Sequence, residues 1–107
     1  MSRAFFVPLQ GRSEWKNLSN DHQTRDQQLN QLVGGYYEFI AVPNCERIVM
    51  VLNDERELRG MRQNKHIKSV SAEGPLVVMK LDEQGLQAEL TTADLELFKF
   101  HTEFEDK

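Results

Sequence analysis

Residues 32–40 read Leu-Val-Gly-Gly-Tyr-Tyr-Glu-Phe-Ile, and they constrain the fold more than any other part of the chain. A polar helical pattern stops there at two glycines, and a β-rich pattern begins with no linker between them. Gly34 suits the left-handed position after a helix, where a side chain would clash, and Gly35 lets the chain reverse closely into a strand. A phosphate-cradling glycine loop runs from strand to helix, the opposite order, so Gly34-Gly35 is a helix stop.

Around this junction the pattern predicts an α+β fold: a small, mainly antiparallel sheet of about five strands with two helices. Phe5, Phe6 and Val7 supply β-propensity for a first strand over residues 3–9, with Pro8 marking its end or an edge. Residues 11–20 read as a polar excursion pinned by Trp15 and Leu18. Ser19 or Asn20 caps a helix over about 21–33, with Asp21 in its first turn. Residues 36–42 and 47–52 are strands around Pro43-Asn44-Cys45-Glu46, a hairpin. Residues 48–52 are apolar on both faces, which predicts a central strand covered on each side or one that meets another subunit. After a charged turn at 53–57 and a loop with one helical turn at most, Gly74-Pro75 introduces a strand at 76–81. Asp82-Glu83-Gln84-Gly85 turns it into a short partner at 86–90. Thr91 or Thr92 caps a last helix, whose Ala93, Leu97, Phe100 and Phe104 share one side, predicted to pack on the sheet with Leu95 and Phe98 beside them.

The chain's 107 residues suit one domain spanning 1–107, and no apolar run approaches the roughly 18 residues of a membrane helix. A short N-terminal apolar run without a cleavage site predicts no signal peptide, hence a cytoplasmic address. The lone Cys45 can form no internal disulfide. A net charge of −4 argues against general nucleic-acid binding, which needs clustered Lys and Arg.

The order of Val33-Gly34-Gly35-Tyr36-Tyr37-Glu38, a hairpin, Asn53-Asp54-Glu55, then Leu58, Gly60 and Asn64, with Gly74 before Leu76-Val77-Val78, resembles an uncharacterised family. It is similar to domain of unknown function three-eight-four-six, found in bacteria and often in phages and other mobile elements. The resemblance spans about residues 25–98. Arg62 departs from it, standing where the family usually has proline, and so does the polar insert at 11–20. The family has no general assigned activity, so the resemblance implies a fold and a mobile-element setting and no reaction.

The residues themselves support no catalysis. Cys45 lacks the glycine elbow of an exposed nucleophile, and His22, His66 and His101 are far apart with no helical metal spacing. Asp54, Glu55 and Glu57 are interleaved with Arg56 and Arg59, as in a solvated, mutually neutralising turn. No catalytic residue, metal or cofactor is therefore assigned. Residues 59–68 are the one concentration of positive charge in an acidic chain. They predict an anion pocket in which Gly60 admits a close ligand, Arg59, Arg62 and Lys65 hold phosphate, and Asn64 hydrogen-bonds a base or ribose. Tyr36 and Tyr37 point to opposite sheet faces, so one of them offers a stacking surface.

The expected function is that of a non-enzymatic small binding protein of phage or mobile-element type, a counter-defence sponge that sequesters a nucleotide-derived signalling molecule. The alternative is an acidic interaction module that inhibits a host protein through Asp82, Glu83, Glu89, Asp94 and Glu96. The two-faced strand at 48–52 and the phenylalanines of the last helix predict a homo-oligomer, a dimer.

Overall fold

A computed structural model describes residues 1–106. The elements are β1 (Ser2–Val7), β2 (Glu14–Leu18), α1 (His22–Val33), β3 (Tyr37–Ala41), β4 (Ile48–Asn53), β5 (Leu76–Leu81), β6 (Gln87–Ala88) and α2 (Thr92–Thr102). The strands form one antiparallel sheet in the order β2-β1-β5-β4-β3, with β6 pairing the end of β5. Two hairpins, β1-β2 and β3-β4, thus flank β5, and the fold is the small α+β arrangement expected.

The sheet carries apolar side chains on both faces. Ala4, Val49, Val51, Val77 and Met79 face α1, where Leu29 and Val33 cover them. Phe5, Val7, Ile48, Met50, Leu52, Leu76 and Val78 face the other way, toward Leu95 and Phe98 of α2 and Ile67 of the long loop. Each such buried aliphatic side chain contributes about 1.5–3 kcal/mol. The polar helix α1 holds its place through two of them, because only Leu29 and Val33 are buried along it. Both faces of β4 are covered within the chain. The apolar surface from which a second subunit was expected is therefore already occupied there.

Three expectations need correction. The polar excursion at 11–20 contains β2, which pairs with β1 from Ser2–Leu18 to Phe6–Glu14. Trp15 and Leu18 serve opposite faces of this edge strand, one apolar residue each, so no alternating pattern marks it. Asp21, expected in the first turn of α1, is the cap itself, its carboxylate accepting the Thr24 N–H at 3.0 Å. Thirdly, α2 seats Leu95 and Phe98 in the core against the sheet, buries Thr102, and turns Leu97 and Phe100 outward, 49% and 74% exposed. The helix ends at Thr102, where Glu103 takes φ 50° and folds the chain back. Phe104 then reaches the core from beyond the helix, with its ring 6.3 Å from Phe5 and stacked on His66.

Candidate functional site

The long connection between β4 and β5, residues 54–75, is held by polar side chains at both ends. At its start, Asn53 is fully buried. Its amide donates to the Val33 carbonyl at 3.1 Å and accepts the Glu55 N–H at 2.8 Å, so it closes the C-terminus of α1. Gly34 ends that helix at φ 83° with its N–H on the Asn30 carbonyl. Gly35, at φ 150°, lies so close to Asn53 that a Cβ would come within 3.3 Å of the amide nitrogen. Arg59 donates to the Gly34 carbonyl at 2.8 Å. Arg56 is drawn in between Glu38 at 3.2 Å and Glu73 at 3.3 Å.

Further along, Asn64 is fully buried and clips the loop to the end of β1. Its Nδ2 donates toward the carbonyls of Val7, Pro8 and Gly74 at 3.1–3.4 Å, and its Oδ1 accepts the His66 N–H at 3.0 Å. Gln63 fixes the same turn, donating to Ile67 and Val70 carbonyls and accepting the Ala72 N–H. Asn64 is thus a structural clip, which corrects its assignment as a ligand residue. Its amide protons are taken by these carbonyls and the side chain is fully buried, so it presents nothing to a base or ribose.

On the outer side of this clip, Arg62 and Lys65 line an open groove of about 550 Å³ together with Leu9, Gln10, Gly60, Met61 and Gln63. Among the described residues, no carboxylate lines it. Gly74, at φ 84°, sits under Met61, and a Cβ there would meet the sulfur at 2.7 Å. The charge inventory leaves three cations without a partner among the described residues, and two of the three line this groove. The chain has 13 Lys and Arg. Of the Lys and Arg side chains among the described residues, only those of Arg12, Arg62 and Lys65 have no hydrogen bond, ion pair or ring contact.

The six residues predicted to bind ligand are therefore divided. Arg62 and Lys65 share the groove. Arg59 is tied to the α1 terminus, and its junction neighbour Tyr36 is 74% exposed outside the groove lining. Tyr37 packs on the α1 face of the sheet, its hydroxyl on Asp26 at 2.5 Å. Burial, reinforced by that carboxylate, pushes its phenol up to about 12. Leu9, Gln10, Met61 and Gln63 were not predicted. Only the docking of the β1-β2 turn against residues 60–65 brings them together, and no local pattern encodes that.

Other candidates are engaged elsewhere. Burial raises the Cys45 thiol, which is enclosed beside the Leu97 carbonyl. No cluster of three or more His, Cys, Asp or Glu poised for a metal occurs among the described residues. In the acidic set, Glu89 accepts the Arg3 N–H at 2.6 Å and Glu83 reaches Arg47 at 3.5 Å. Asp82 accepts two turn N–H groups. Burial opposes ionisation of Asp94, yet the Thr91 N–H and the Lys80 ammonium outweigh it and hold the carboxyl below its ordinary value. Of the five acids proposed for a partner surface, only Glu96 lacks such a partner among the described residues.

No helix among the described residues is long and apolar enough to cross a membrane. The chain matches no family model, no curated protein and no solved structure.

Proposed function

We propose that this protein is a non-enzymatic binding protein that captures a phosphate-bearing small molecule of nucleotide-derived kind in the groove carrying Arg62 and Lys65. One observation carries the reading: two cations without a partner among the described residues face one groove that no described acid lines, in a chain of net charge −4. An arginine fork matches two phosphate oxygens, and a lysine adds a mobile point charge. Met61 and Leu9 give the same groove an apolar side against which a base can rest. With the mobile-element resemblance of the sequence, the reading extends to sequestration of a signalling nucleotide. Tyr36, Tyr37 and Asn64 take no part in it.

Calorimetric titration with a panel of cyclic and linear nucleotides tests the reading, with mass spectrometry of small molecules released on denaturing the purified protein. Binding by the wild type is expected, with Arg62→Ala weakening it by about 1.5–3 kcal/mol, the range for a hydrogen bond to a charged group. No binding across the panel and no released ligand would overturn it.

A further inference from the structure

The sheet has two free edges, β2 and β3. At β3 the ladder phase can be read from its ends. The Val42 N–H donates to the Ile48 carbonyl at 3.3 Å, and the Asp54 N–H to the Tyr36 carbonyl at 3.0 Å. Bonded and non-bonded pairs alternate along an antiparallel ladder. With Tyr37 opposite Asn53 and Ala41 opposite Val49, the main-chain groups of Glu38 and Ile40 face β4, and those of Tyr37, Phe39 and Ala41 face outward. Among the described residues, nothing pairs with these three N–H and three C=O groups.

Natural edges are usually guarded by lysine, proline, a bulge or a covering element. β3 has no lysine or proline, its one charged residue, Glu38, is neutralised by Arg56 of its own chain, and its Phe39 is 47% exposed. The other edge is guarded, since β2 carries Lys16 and Glu14 paired at 2.6 Å.

We infer that β3 is a docking edge for a second copy of this chain, joined antiparallel about a two-fold axis at Phe39. This arrangement sets Phe39 opposite Phe39 and Tyr37 opposite Ala41, so every outward N–H and C=O of the three residues finds a partner. On the other face of the sheet, Glu38 meets the second copy's Ile40. No carboxylate opposes a carboxylate, and Glu38 keeps Arg56 at 3.2 Å. The two Phe39 rings cover each other across the axis. β2 has no such self-complementarity, because a two-fold at its centre would set Lys16 against Lys16. This edge is independent of the ligand groove, so the failure of either proposal leaves the other standing.

Light scattering over a micromolar dilution series should give twice the 12.5 kDa chain mass at the upper end. Phe39→Lys places like charges on the axis and should raise the dissociation concentration at least tenfold, with an unchanged circular dichroism spectrum. Ala41→Pro removes an outward donor and no bond to β4, and should weaken the dimer without the new charge. Phe39→Cys should cross-link under oxidation, because residues opposite in a bonded pair lie about 5.5 Å apart between Cα atoms, within disulfide reach. Cys45 is buried and does not compete. A monomeric mass throughout the series would overturn the inference, as would a dimer that survives both edge variants and gives no cross-link.

Discussion

The inner and outer sides of the loop between β4 and β5 are built from the same kinds of residue and behave in opposite ways. On the inner side, Asn53, Arg56, Gln63 and Asn64 hold main-chain groups or carboxylates that neighbouring elements leave without partners. On the outer side, Arg62 and Lys65 hold nothing within the described chain. A polar side chain is structural where a strand or helix ends beside it with unsatisfied main-chain groups, and available where none does. Adjacent positions can therefore differ completely, as Asn64 and Lys65 do.

The largest expected effect lies on the inner side. Asn64→Ala strips the Val7 and Gly74 carbonyls and the His66 N–H of their partner in a buried place. It should lower stability by about 3 kcal/mol, the upper end of the cost of unsatisfied buried groups. Denaturant unfolding that shows a loss below about 1 kcal/mol would dissolve the contrast, because Asn64 would then be no more structural than its neighbours.

Gly34→Val comes next. A Cβ at Gly34 would meet its nearest neighbours only at 3.9 Å and beyond, so the penalty comes from the left-handed backbone, about 1–2 kcal/mol. Thermal unfolding measures it. A neutral result would place the helix stop at Gly35.

A smaller effect is expected in acid. The Ser71 hydroxyl, at 2.5 Å, holds the Glu73 carboxyl below its ordinary value; burial opposes this and Arg56 adds to it. A depressed carboxyl contributes stability that is present above its unfolded value and lost as pH falls through its folded one. Unfolding measured downward from pH 7 should thus show wild type losing stability below the ordinary glutamate range, while Glu73→Gln shows less of that acid slope. Equal slopes would mean that Glu73 does not hold the inner side through its charge.

The smallest change in stability belongs to the outer side. Arg62→Ala should leave unfolding within about 0.5 kcal/mol of wild type. Its loss in nucleotide titration should appear alone. A large fall in stability would show that Arg62 serves the fold, and the two sides of the loop would no longer differ.

Much of the architecture was legible in short-range pattern. The helix stop at Gly34, the β3-β4 hairpin and the doubly buried β4 all follow from glycine placement and apolar runs. The misplaced features depend on partners distant in sequence. β2 lacks alternation because it places Trp15 and Leu18 on different faces. The outward turn of Leu97 and Phe100 went unseen because extending the helical spacing to Phe104 ran past the true helix end at Thr102. The site was legible in part: the basic segment stood out in an acidic chain, but which of its residues were available did not.

By itself, the sequence determined the element types apart from β2, the helix ending at Gly34 and the identity of the one basic loop, because glycine conformation, β-propensity and charge density are local properties. Only the tertiary structure decided that Asn64 turns inward while Arg62 and Lys65 face a shared groove, and that Tyr36 and Tyr37 stand apart from it. Those outcomes depend on where the end of β1 and the start of β5 leave carbonyls to be satisfied. Those carbonyls belong to residues 10 and 57 positions from Asn64, beyond the reach of any local pattern.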